Sequence, residues 1–422
     1  MKTAAIICEY NPFHNGHEYH IMQTRNITSA DCVIAIMSGN YVQRGTPAVM
    51  DKKIRTQAAL LGGADLVIEL PLFAACSSAP DFAIGAVSLL HKLGVIDYLS
   101  FGSECQDINK LKQIASFLIQ YEEEIERGTK ELMSLGHSYP KAKELYLREH
   151  LDDASLIEVL KQPNNILGIE YLKALKKYKS SIKPVCISRF ATDYNSTKLS
   201  KIENSTSNCN PQNIASATAI RELIKNKNFD AIKTVIPLES SSVLMDCINS
   251  GCIVPDLNCF EKEIIYTLRK MTIEEIADIP DVSEGLEFSI KKAANSCNNI
   301  NEFLDIVKSK RYTITRLQRI LLYALLGISK EDMQLSKKVE KPYIRVLGFN
   351  DNGKKLVSEI ATKNPELKLI TSVKKFVDSN LNKNLQIIFD KDVWATDVYS
   401  LAFENNSLAN LDFKNSVITF KK

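Results

Sequence analysis

Chemistry in this chain concentrates at His14-Asn15-Gly16-His17, where two imidazoles flank a glycine. The apolar run Thr3 to Cys8 and a loop containing Asn11-Pro12 come before it, and a helical pattern from about Gly16 to Arg25 comes after, so it sits where a strand gives way to a helix. The first N–H groups of a helix have no partner within it and the helix dipole is positive there, so the position suits a phosphate. Gly16 lets the backbone approach a nucleotide with no side chain in the way. Imidazoles beside it can donate hydrogen bonds to phosphate oxygens as charge builds during in-line attack on an α-phosphorus. Donors fixed there in advance lower the barrier to nucleotidyl transfer. Four residues alone would recur by chance; the strand, loop and helix around them make the signal specific. His20 invites a metal reading, but no third ligand accompanies it, and it reads as a side chain near the nucleotide or packed in the helix.

A triphosphate needs a second basic element, and Ser216-Ala217-Thr218-Ala219-Ile220-Arg221 fits that need. Ser216 and Thr218 open a helix with hydroxyls, and Arg221 lies one turn on, within reach of β- and γ-phosphates. The same residues also describe an ordinary capped helix with a surface arginine; the upstream histidines favour the phosphate reading.

Bringing these pieces together requires alternating strands and helices. Thr3 to Cys8, Cys32 to Met37, Asp65 to Leu70, Tyr98 to Phe101 and Pro184 to Ser188 read as short strands. Between them, helices are expected from the Asp51 cap to about Leu61, over Asp81 to Leu93, and over Asn164 to Tyr178. This spacing predicts an α/β fold with a doubly wound parallel sheet. Ile108 to Leu160 reads as helical, and the polar stretch Thr192 to Gln212 as a mobile loop. Helical periodicity dominates from about Phe229 to Met333, and short strands return at Tyr343 to Leu347, Leu367 to Thr371 and Ser416 to Phe420. The expected organisation is a catalytic domain over 1–228, a helical domain over 229–338 and a small α/β domain over 339–422.

Composition bounds the rest. With 422 residues, 45% hydrophobic and 24% charged, the chain reads as a globular protein of two or three domains. No apolar run reaches the roughly 18 residues a membrane span needs, and Met1 to Cys8 lacks the features of a secretory signal, so a cytoplasmic protein is expected. The ten cysteines are scattered singly and read as free thiols; Cys247, Cys252 and Cys259 lack the paired spacing of a zinc site, and no metal ligand is assigned to the chain. A net charge of +3, from 53 basic and 50 acidic residues, gives a weak overall field, so any RNA site must be a local basic patch.

The stretch Glu9-Tyr10-Asn11-Pro12-Phe13-His14-Asn15-Gly16-His17 resembles the tRNA(Met) cytidine acetate ligases, a bacterial branch of the HIGH-type nucleotidyltransferases. So do Ala64-Asp65-Leu66-Val67-Ile68-Glu69-Leu70-Pro71, Ser100-Phe101-Gly102-Ser103-Glu104, Pro163-Asn164-Asn165-Ile166-Leu167-Gly168, Ser309-Lys310-Arg311-Tyr312-Thr313 and Ile344-Arg345-Val346-Leu347-Gly348, so the likeness spans the chain. The resemblance implies joining of acetate to ATP, with Mg2+, as acetyl-adenylate. The acetyl group then passes to the N4 amino group of the wobble cytidine in elongator tRNA(Met). It also implies ATP contacts from Ile7 and Cys8 through the quoted motif to Glu18, Tyr19 and His20, with further contacts at Gly102, Asn165, Arg189 and Phe190. Relatives often carry a glycine-rich turn after the arginine, where this chain has Phe190-Ala191-Thr192-Asp193. His14 and His17 are the expected catalytic residues.

For tRNA, Lys308, Lys310, Arg311, Arg316 and Arg319 form the densest basic cluster, with Tyr312 available to stack on a base; a solvated helix face is an equal reading. A cofactor-biosynthesis adenylyltransferase shares the core chemistry but leaves about two hundred residues without a task. An RNA-binding protein with a purely structural ATP site is disfavoured by the two histidines. No protein partner and no membrane association are inferred.

Overall fold

The computed structural model describes residues 1–151, 153–188, 214–283, 285–309, 312–339, 343–379, 382–404 and 408–421. Arg189, Phe190, Lys310, Arg311 and the stretch Thr192 to Gln212 fall outside the described residues.

The first strand, β1 (Thr3–Cys8), is apolar almost throughout because both of its faces are covered: Ala4, Ala5 and Ile6 are buried. Helix α1 (Asn15–Thr28) leads to β2 (Cys32–Ser38), which lies parallel beside β1 with Ile6 opposite Ala35. A small hairpin, β3 (Tyr41–Val42) and β4 (Thr46–Pro47), precedes α2 (Lys52–Leu61), and β5 (Leu66–Leu70) pairs parallel with β2. After the Ala79–Leu93 helix the chain returns across β1 to form β6 (Tyr98–Ser103), followed by helices and by β7 (Lys183–Ser188) outside it. The order β5-β2-β1-β6-β7 therefore reverses direction at β1. In doubly wound sheets the crevice outside the carboxyl ends of the strands at such a reversal is where ligands bind. The expected doubly wound sheet and the helical middle region are present.

The C-terminal segment, read from the sequence as short strands and helices, joins the same sheet. Its strand β8 (Tyr343–Phe349) lies antiparallel against β5, with Val67 opposite Gly348; β9 (Lys368–Ile370) and β10 (Ile418–Thr419) both pair with β8. The boundary at 339 thus does not separate two sheets: the last segment widens the first one. Periodicity marks a strand but not its neighbour, so the sequence could not disclose this pairing.

Charge fastens that joint. Lys52 Nζ lies 2.8 Å from Glu69 Oε1 and 3.1 Å from Asp412 Oδ2, while Arg345 Nη2 lies 2.7 Å from Asp412 Oδ1 and its Nε 3.3 Å from Glu69 Oε2. All four side chains are buried. Beside them Asp392 accepts from Leu72 N–H at 2.9 Å and from the Tyr343 hydroxyl. Burial, then the charge of Glu69, pushes the Asp392 carboxyl up to about 7.

Two stability predictions follow from this joint. Arg345→Met leaves two buried carboxylates sharing one lysine and should lower unfolding stability by about 3–5 kcal/mol, seen as a lower urea midpoint. Asp392 is an acid whose pKa rises on folding, so its neutral form contributes stability in full below the ordinary aspartate range and loses it as pH climbs through about 7. Asp392→Asn should flatten that decline when unfolding is compared at acidic and mildly alkaline pH; an unchanged slope would refute the assignment.

Candidate active site

Beyond β1 the backbone turns sharply. Tyr10 takes the left-handed region, with φ 46°, and the Asn11–Pro12 peptide is cis. Aromatic packing holds the turn: the Tyr10 ring centroid lies 4.9 Å from Phe13 and 4.8 Å from His17. Phe13 fits only because α2 ends in glycine, since a Cβ on Gly62 would fall 2.1 Å from its ring. Asn11 is gripped at both ends, its side-chain oxygen accepting from Val49 N–H at 2.7 Å and its carbonyl from Arg221 Nη1 at 2.9 Å.

His14 caps α1 with its ring. Its Nδ1 accepts the Gly16 N–H at 3.1 Å, and His17 Nδ1 accepts the His14 N–H at 3.3 Å, a reciprocal capping box made of two imidazoles. The rings stack with centroids 3.7 Å apart. Because Nδ1 is an acceptor on both, this hydrogen-bond pattern assigns the proton to Nε2, so each ring offers an Nε2–H donor. A Cβ on Gly16 would stand 3.0 Å from His14 Cε1, so the glycine leaves room for the capping ring as well as for a ligand.

The other expected residues gather here to different degrees. His20 Nε2 lies 3.0 Å from Ser100 Oγ, itself 2.7 Å from Thr24 Oγ1, which places His20 in the packing of α1 on β6. Glu18 sits in the first turn of α1, where burial and the Glu239 carboxylate raise its pKa, and burial raises that of Tyr19. Ser216 caps the Ala217–Lys225 helix by accepting from Ala219 N–H at 3.1 Å. Arg221 holds Thr218 Oγ1 at 3.0 Å as well as the Asn11 carbonyl, so its charge is fixed against the motif loop. Ala219, Ile220 and Ile224 share a hydrophobic cluster with Val49 and Met50, which seats this helix against the segment leading into α2. Gly102 lies near the carboxyl end of β6, opposite Ile187. Asn165 is buried; its side-chain oxygen accepts from Ser103 Oγ and from the N–H groups of Glu104 and Cys105, and its Nδ2 donates to the Val159 carbonyl. It pins the loop that follows β6.

Arg55 was not singled out in the sequence and governs the site's backbone. It is 0% exposed and donates to the carbonyls of Glu9 at 2.6 Å, Met50 at 2.8 Å, Ser38 at 3.1 Å and Gly39. An arginine in an amphipathic helix ordinarily reads as surface, so no local signal marks it.

The proposed RNA cluster is only partly on the surface. Arg319 is buried, with Nε 2.7 Å from Asp281 Oδ2, and Arg316 donates to the Asp281 carbonyl at 2.9 Å and to Ser283 Oγ at 2.8 Å while lying over the Tyr312 ring. Both anchor the start of the Ile314–Leu326 helix to the Asp281 turn, so Arg319 is corrected from a solvent-facing contact to an internal one. Lys308 is exposed. Every described cysteine is free, and no group of three or more His, Cys, Asp or Glu among the described residues could hold a metal ion.

An N-terminal parallel sheet whose central strand runs into a histidine-capped helix defines a HIGH-type nucleotidyl transferase, and the HIGH Nucleotidyl Transferase family model matches residues 1–412. The tRNA(Met) cytidine acetate ligase of Thermoanaerobacter sp. (strain X514) is 42% identical over 99% of this chain and 100% of its own length. That of Clostridium perfringens is 39% identical over the whole of both chains. The chain belongs to the tRNA(Met) cytidine acetate ligase family. Its structure is also similar to two crystal structures of Thermotoga maritima TmcAL, each covered in full. The form bound with alpha-thio ATP matches with TM-score 0.89 at 31% identity and the apo form with TM-score 0.90 at 32% identity.

Gly16→Ala should crowd the His14 ring by a few tenths of an ångström and lower ATP–pyrophosphate exchange by about 10–100-fold with little change in melting temperature. Exchange at the parental rate would show that the ring's position does not matter.

Proposed function

We propose that the protein uses ATP to activate acetate as acetyl-adenylate and then acetylates the N4 amino group of the wobble cytidine of elongator tRNA(Met), releasing AMP. The stacked His14–His17 pair, locked at the entrance of α1 at the carboxyl end of the central strand, carries this reading. An acetate oxygen attacks the α-phosphorus in line, the bond to the β-phosphate breaks, and pyrophosphate leaves. The two Nε2–H donors complement charge that grows on the phosphate oxygens in that transition state, and their mutual capping means they need no reorganisation.

The segment from Ile7 to His20 and Gly102 line the nucleotide's place in this reading, while Ser216, Thr218 and Arg221 stand toward the leaving pyrophosphate. Arg189 and Phe190 would add to it from the end of β7. Mg2+ would arrive on the triphosphate itself, in keeping with that ion's habit of binding through phosphates and water. For the tRNA, Lys308, Lys310 and Arg311 are the assigned phosphate contacts, together with Arg316, and Tyr312 is available to stack on a base. Phosphate contacts of this kind position an RNA without choosing its sequence. Among the described residues no helix is long and apolar enough to cross a membrane, and a cytoplasmic location suits a tRNA substrate. The cofactor-adenylyltransferase alternative finds no support, because the relatives extend over the regions such an enzyme would not need.

ATP–pyrophosphate exchange should rise strongly with acetate and not with amino acids or pantetheine phosphate. His14→Ala and His17→Ala should each cut it by about 100-fold or more while tRNA binding persists. Exchange indifferent to acetate would end this reading.

A further inference from the structure

We propose that Glu9 is the general base of the second half-reaction, taking the proton that the cytidine amine sheds as it attacks the acetyl carbonyl. This inference rests on the functional reading above. Glu9 is the first residue beyond β1, at the carboxyl end of the central strand, and is partly exposed. It is held at both ends: Arg55 Nη1 donates to its carbonyl at 2.6 Å, and Gln43 N–H donates to its Oε1 at 3.1 Å. Among the described residues Oε2 has no hydrogen-bond donor, and no Lys, Arg or His nitrogen lies within ion-pair distance of the carboxylate.

Charge explains why such a group belongs to the second step. ATP and acetate are both anions, and a fixed carboxylate that lacks an ion-pair partner among the described residues disfavours each of them beside it. Only the third substrate brings an amine that reacts and must shed a proton. The exocyclic amino group of cytidine is a weak nucleophile because its lone pair is delocalised into the ring, so attack needs a base to remove a proton as the C–N bond forms. In that step the C–N bond forms and the acyl C–O bond to the adenylate breaks. AMP leaves with the electron pair, and the amine proton passes to Glu9 and then to solvent. The histidines are unsuited to this task, since Nδ1 of each ring accepts a backbone N–H and Nε2 carries the proton. Glu69 and Asp412 are buried against Lys52 and Arg345, and Asp51 is buried as the cap of α2.

The test uses the full-length protein with Glu9→Gln, which keeps an oxygen to accept the Gln43 N–H. Acetate-dependent ATP–pyrophosphate exchange is compared with single-turnover transfer of labelled acetyl from acetyl-adenylate to a tRNA(Met) transcript. Transfer should fall by about 100-fold or more, in line with loss of a general base. That loss should exceed the loss of exchange by at least tenfold, and Glu9→Asp should recover part of it. Any smaller difference between the two losses, or a larger selective loss of transfer in Glu18→Gln, overturns the proposal. Parental protein that shows no acetate-stimulated exchange would instead refute the functional reading itself.

Discussion

The site depends first on one buried cation. Arg55 gathers the carbonyls that end β1 and β2 and the one that precedes α2, and these groups would otherwise diverge at the mouth of the sheet. Carbonyls offer partial charge without titrating, so the guanidinium remains ionised while its hydrogen-bonding needs are met in a dry setting. The turn at Tyr10, the placement of Glu9 and the register of the loop into His14 all inherit their geometry from this clamp. A lysine would not replace it, because a point charge with three mobile donors cannot hold several carbonyls in one plane.

Onto that fixed mouth the histidines are added in an economical way. Serine, threonine, aspartate or asparagine usually caps a helix, and here an imidazole does so. Capping consumes the Nδ1 lone pair of each imidazole and in doing so sets the tautomer, so structure and chemistry are one arrangement. Arg221 reaches the same loop from far along the chain, and the packing of its helix on Val49 and Met50 keeps it there.

The C-terminal segment is part of the same machine. The pairs among Lys52, Glu69, Arg345 and Asp412 join α2 and β5 to a strand nearly three hundred residues away, at the carboxyl end of β5. The β3–β4 hairpin gives a second link: at Gly45, φ 75°, the chain comes so close to the Ile314–Leu326 helix that a Cβ would sit 2.4 Å from Arg319 N. The helical region and this hairpin are therefore in close backbone approach just beyond β2.

Much of this was legible in the sequence because it is local. The run Thr3 to Cys8, the Asn-Pro loop, the histidine pair and the serine-opened helix at Ser216 each depend on neighbours a few residues apart, and periodicity and capping rules read such neighbours well. Most helices and five central strands were placed within a few residues for the same reason. Tertiary structure alone decided what depends on distant partners. It made Arg55 and Arg319 interior residues, turned Asn165 into the pin of a loop, set β8 beside β5, and left the Glu9 carboxylate without an ion-pair partner among the described residues. Burial and pairing of a charged side chain are properties of whatever packs against it, and a linear pattern of polar and apolar residues carries no record of that partner.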